Sequence, residues 1–138
     1  MFKKAVAVSL IALLFLCFHV QGSKPLFYGY ADSFEVYLVD GSFSSKIKQC
    51  DYYEFISTKN IKGEACKINA DNFDLDGFIK SFNARVVFVE ELDEVVVYYA
   101  FSPEIKYLEC VGGECVNLHV AVRKGQVTVG APLIYGSF

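Results

Sequence analysis

Val116-Asn117-Leu118-His119-Val120-Ala121-Val122-Arg123, then Lys124-Gly125, then Gln126-Val127-Thr128-Val129-Gly130-Ala131-Pro132-Leu133, is the stretch on which the fold turns. Two apolar runs of strand length flank a two-residue turn, the pattern of a β-hairpin. In the first run Val116, Leu118, Val120 and Val122 share one face, and Asn117, His119, Ala121 and Arg123 share the other. The first face is apolar enough to carry a helix. The second reads as polar and solvated, as one side of an antiparallel sheet often is.

Working outward, the helix that this face calls for lies upstream. Leu75, Phe78, Ile79 and Phe82 fall at i, i+3, i+4 and i+7 and build one apolar stripe. Asp74 suits the N-cap, and Phe73 before it can staple onto Phe78. Asp76 favours the positive first turn, Lys80 the negative end, and Asn83 can end the helix.

Strands occupy most of the remainder. Phe34, Val36 and Leu38 alternate with Glu35, Tyr37 and Val39, so residues 33–39 form a strand that Asp40-Gly41-Ser42 ends. Residues 45–57 are ambiguous, with strand composition at 52–56 after a polar stretch compatible with a helix. Residues 63–68 read as a further strand. Residues 85–91 and 95–101 flank Leu92-Asp93-Glu94 as a second hairpin, and Ser102-Pro103 stops it because proline cannot donate to a ladder. The expected architecture is α+β: an antiparallel sheet with one or two helices packed on one face.

Residues 1–22 have the three parts of a secretory signal. Lys3 and Lys4 supply a positive start, residues 5–18 are uncharged and apolar, and Val20-Gln21-Gly22 offers a cleavage site before Ser23. A membrane span needs roughly 20 apolar residues, so the run is short for a permanent anchor, although an uncleaved anchor is the rival reading. Cys17 does not make a lipobox, because the bulky Leu16 precedes it and the apolar run continues through Phe18. Residues 23–138 then form one domain. Losing Lys3 and Lys4 leaves 11 basic against 16 acidic residues, a formal charge of −5. An acidic domain with no basic run repels phosphate backbones, which argues against nucleic acid and anionic membrane surfaces.

Four cysteines follow the signal: Cys50, Cys66, Cys110 and Cys115. An even number in an exported domain points to disulfides. Between Cys110 and Cys115, Gly112-Gly113 suits the positive φ of a two-residue turn. Val111 and Glu114 then pair, and Cys110 faces Cys115 one step back. Cys50–Cys66 follows by elimination, and reduced buried thiols are the alternative.

Few residues could carry chemistry. His119 is the one histidine beyond the signal, with no second histidine to share a metal. The cysteine spacing lacks the paired knuckles of a zinc site, so no cofactor and no metal are expected. Glu90-Glu91 and Asp93-Glu94 read as a charged hairpin tip that keeps an apolar strand pair soluble. Asp71, Asp74 and Asp76 lack the EF-hand order. No nucleophile elbow, Walker loop or dinucleotide fingerprint occurs. What remains is a surface: Asn117, His119, Arg123, Gln126 and Thr128 on adjacent strands, with Tyr99 beside them, as a candidate face for a peptide, glycan or envelope protein.

The end of the chain, Asn117-Leu118-His119-Val120-Ala121-Val122-Arg123 followed by Val127-Thr128-Val129-Gly130-Ala131-Pro132-Leu133-Ile134, resembles the YwmB-like family of bacterial exported proteins. Members show N-L-x-[IV]-A-[LIV]-R and then V-T-V-G-[ST]-P-[LI]-[IV]. Phe82-Asn83-Ala84-Arg85 also matches an F-x-A-R stretch after a helix in that family, and the likeness covers roughly residues 61–138. It implies a fold similar to the TATA-box-binding protein, with helices on a curved antiparallel sheet. It implies no activity and no catalytic residue. The DNA binder of that fold uses a basic sheet and phenylalanine wedges, which an acidic exported domain does not match. The expected function is a non-enzymatic, exported interaction module that uses its open sheet face or an edge strand. The alternatives are a secreted hydrolase built on converging carboxylates and a structural envelope-assembly protein.

Overall fold

Alternation of apolar and polar residues resolves, in a computed structural model that describes residues 25–31, 33–40, 44–51, 61–136 and 138, into strands around one short helix. In chain order these are β1 (Ser33–Asp40), β2 (Ser44–Asp51), β3 (Ile61–Asn69), α1 (Leu75–Ser81), β4 (Arg85–Leu92), β5 (Val95–Phe101), β6 (Glu109–Val111), β7 (Glu114–Val116), β8 (Leu118–Arg123) and β9 (Gln126–Ala131). The signal at residues 1–22 and the strand expected at 52–56 lie outside the described residues. Seven strands make one antiparallel sheet in the order β2-β1-β3-β9-β8-β5-β4, and β6-β7 is a separate small hairpin. The domain is α+β, with its helix on one face. The polar stretch after residue 44 is not helical. It pairs along the whole of β1, where backbone ladder bonds override its weak helical pattern.

Local signals set the turns and the helix. Gly125 turns β8 into β9 at φ +81°, with Arg123 opposite Gln126. The Asp74 carboxylate accepts from the Gly77 N–H at 3.1 Å, capping α1. The Phe73 and Phe78 rings lie 5.3 Å apart, which is the staple. Asn83 ends the helix at φ +50°. The helix carries the chain from β3 across three strands to β4, and Phe78 and Ile79 bury against the sheet.

The helix-side core gathers Phe34, Cys66, Leu118, Val120, Val127 and Val129 beneath α1. Phe27, fully buried, enters it from the segment before β1 and meets Phe82 edge-on at 5.8 Å. Burying a phenylalanine of this kind contributes about 2–3 kcal/mol.

The opposite face is the main correction. It is not solvated: Asn117 is 1 % exposed, His119 4 % and Thr128 5 %. The chain after β9 folds back over it, and Ile134 and Phe138 close a second cluster with Val95, Val97 and Ala121. We call residues 132–136 the strap. Gly130 permits the approach, since a Cβ there would lie 2.8 Å from both Ile134 Cγ1 and the Leu133 carbonyl oxygen.

Two further expectations meet the coordinates. Cys110 and Cys115 face each other and are disulfide-bonded, with Gly112 and Gly113 both at positive φ. Cys66, by contrast, is a free, buried thiol. Cys50 pairs with Phe34 of β1, and Cys66 follows Ala65, which pairs with Glu35 on the other side of β1. A strand therefore stands between the two cysteines. Two inter-strand steps of about 4.8 Å exceed what a disulfide spans, so the Cys50–Cys66 pair is not formed.

Asn117 pins the long excursion between β5 and β8. Its side-chain oxygen accepts from the Ser102 N–H at 2.7 Å, and its amide donates to the carbonyls of Ser102 at 2.7 Å and Ile105 at 3.0 Å. The Ser102 hydroxyl in turn donates to the Phe82 carbonyl at the end of α1. Asn117→Ala strands two buried backbone groups, the Ser102 N–H and the Ile105 carbonyl, each of which costs about 1–3 kcal/mol when unpaired, while the Ser102 carbonyl keeps the Ile105 N–H at 3.4 Å. The expected loss is about 2–4 kcal/mol, read as a lower urea midpoint at unchanged slope.

Candidate functional site

Of the five residues singled out as a binding face, the fold leaves Arg123 and Gln126 exposed and buries Asn117, His119 and Thr128. Asn117 is consumed by the loop pin. Thr128 lies on β9 opposite Ala121 and is covered. Arg123 is exposed at the hairpin tip. His119 sits in a ladder of rings: Phe88 stacks on Tyr99 at 4.2 Å, Tyr99 on His119 at 4.5 Å, and Phe138 meets the imidazole edge-on at 5.7 Å. The Ile134 N–H donates to His119 Nδ1 at 2.9 Å. Burial holds the imidazole well below its ordinary range, at about 4, so it is neutral at physiological pH.

The acidic clusters also separate. Glu90, Glu91, Asp93 and Glu94 are exposed at the tip of β4-β5, and Glu90 accepts from the Tyr99 hydroxyl at 3.1 Å. Asp74 is the helix cap. Among the described residues no group of three histidines, cysteines or carboxylates converges as a metal site, and no helix is long and apolar enough to cross a membrane.

One buried carboxylate escaped the reading of the sequence. Glu64, on β3, is 4 % exposed. Its two oxygens accept from the Leu26 N–H at 2.9 Å and from the Tyr107 hydroxyl at 3.0 Å. It thus ties the segment before β1 to the loop after β5. The signal was present: Glu64 alternates with Cys66 and Ile68 and so shares their buried face. Burial raises its carboxyl above the usual range, against smaller opposing effects of those hydrogen bonds and of Lys106.

Among the described residues two open surface features stand out. A groove of about 530 Å³ runs between residues 29–30 and the start of α1. Its walls carry Tyr30, Phe73 and Phe78 beside Asn69, Asp71 and Asn72. The second feature is β4, which ends the sheet and has no strand on its outer side among the described residues. Val86, Val89 and Leu92 are 42 %, 46 % and 50 % exposed there. The register slips between Val86 and Phe88, leaving residues 88–92 as the regular stretch. A two-residue turn makes its closing pair, Leu92 and Val95, hydrogen-bonded to each other. Val89 and Glu91, at the alternate positions, therefore aim their backbone groups outward.

Glu64 generates a pH prediction. Its folded-state value lies above the unfolded one, so the folded chain holds its proton to higher pH. Its contribution to stability therefore falls as pH rises from about 4.5 through the folded value. Glu64→Gln keeps an acceptor and carries no charge. The variant is expected to exceed wild type in stability at pH 7, with the gap closing toward pH 4 in urea titrations. A variant no more stable than wild type at pH 7 would refute this.

No protein-family model matches the chain, and no curated protein or solved structure matches it either.

Proposed function

We propose that this chain is a non-enzymatic, exported interaction module of a bacterial envelope, of the YwmB-like kind, that holds its partner along the β4 edge. The observation that carries this reading is an edge strand with outward backbone groups and exposed Val86, Val89 and Leu92. An added strand needs only backbone donors and acceptors for affinity, and flanking side chains for selectivity. Glu90, Glu91, Asp93 and Glu94 set that selectivity toward an extended segment rich in lysine or arginine. The partner is thus an envelope protein or peptide, and the covered sheet face plays no part. The Cys110–Cys115 disulfide supports an oxidising compartment. The hydrolase alternative calls for two carboxylates in one cleft. Among the described residues Glu64 is the buried carboxylate, and both its oxygens are engaged by Leu26 and Tyr107.

Two measurements test the proposal. The exported protein should begin at Ser23, which N-terminal sequencing of material from the envelope fraction reads directly. Protein retained in the cytoplasm with residues 1–22 attached would contradict export. For the edge, Val89→Pro removes one outward N–H and spares the ladder to β5. Glu90→Lys with Glu91→Lys reverses the charge. Both variants should fold and should lose, by at least tenfold, a basic partner captured from envelope extract by wild type. Equal capture by both variants, or none by wild type, would overturn the edge as the contact.

A further inference from the structure

We propose that protonation of His119 unlatches the strap from the sheet, so that the second face is covered at neutral pH and opened by acid. His119 Nδ1 accepts from the Ile134 N–H at 2.9 Å, and a ring nitrogen that accepts carries no proton. The proton of the neutral ring is therefore on Nε2, which is buried and has no hydrogen-bond partner. A second proton has one place to go, Nδ1. There it sets a donor against the Ile134 donor and leaves a cation between Tyr99 and Phe138 with no counter-charge. The imidazolium and the latched strap disfavour each other.

The groups around the latch are few. Tyr99 on β5 stacks on the ring, and its hydroxyl is engaged by Glu90 of β4. From β9 the ring faces Gly130, and Thr128 shares that side of the sheet. Lys67 on β3, opposite Thr128, and Arg123 at the end of β8 are exposed at the rim. On the strap, Tyr135 donates its N–H to the Tyr37 hydroxyl at 3.1 Å and its own hydroxyl to Glu109 at 3.3 Å. Lys62 lies over the Tyr135 ring at 4.7 Å, and Glu35 is near the Tyr37 hydroxyl. Glu109 bonds the strap directly, so a Glu109 control is needed. Release uncovers Val95, Val97 and Ala121 beside the Phe88–Tyr99–His119 ladder.

The imidazole is held at about 4 when covered, and an uncovered one has the ordinary 6.5. Between pH 7 and pH 4 that difference shifts the open-to-closed ratio by roughly a hundredfold. Hydrogen exchange followed by NMR tests this. The protection factor of the Ile134 amide should fall roughly a hundredfold over this range while that of Val120 holds. That fall begins near pH 6.5 and levels off where the His119 imidazole resonances titrate, near 4. His119→Asn offers an oxygen where Nδ1 stood and does not titrate, so its Ile134 protection should be flat. Glu109→Gln should respond like wild type. The proposal fails if Ile134 stays protected at pH 4, if His119→Asn loses protection equally, or if Glu109→Gln abolishes the response. Should His119→Asn not fold, the wild type decides: an Ile134 loss that levels off at the imidazole midpoint supports the latch, and one that continues past that midpoint or occurs without imidazole titration overturns it.

Discussion

The structure depends on the need to cover the β8-β9 hairpin on both faces. Its strands sit at the middle of the seven-stranded sheet, and their backbone bonds are satisfied by β5 on one side and β3 on the other. Side chains alternate across such strands, so a single layer of helix protects only half of them. The helix-side half, Leu118, Val120, Val127 and Val129, meets α1 and Phe27. The other half, His119, Ala121, Thr128 and Gly130, meets the strap. Leaving either half wet would forfeit burial of several side chains, each worth on the order of 1–3 kcal/mol.

That double covering explains where the polar residues went. Buried polar groups are as a rule hydrogen-bonded, and three of them close segments that lack regular structure. Asn117 closes the loop between β5 and β8, Glu64 closes the segment before β1, and His119 closes the strap. All three act as staples from the sheet to an irregular stretch of chain. Chemistry at this sheet serves attachment, and the surfaces free for a partner lie at the β4 edge and beside α1.

The regular elements were legible from the residues. Period-two alternation identified β1 and β8, strand-length apolar runs between turn residues marked β3, β4, β5 and β9, and the 3.6-residue stripe with Asp74 and Phe73 identified α1. The Gly112-Gly113 and Lys124-Gly125 turns set the registers of their hairpins. The candidate site was not legible. Asn117, His119, Arg123 and Thr128 were read as an open face because alternation tells which residues share a side. It does not tell whether another part of the chain lies over that side.

By itself, then, the sequence determined what depends on neighbours within a few positions: strand faces, helix stripe, caps, turns and the Cys110–Cys115 pairing. Backbone sterics and short-range hydrogen bonds act over such distances, so a local pattern suffices. Only the tertiary structure decided that residues 132–136 return across the sheet and that residues 25–31 dock beside Glu64. It also decided that β1 separates Cys50 from Cys66. Those outcomes turn on contacts between segments up to about a hundred residues apart, Tyr37 with Tyr135 among them, where the gain is burial and no local period announces the partner.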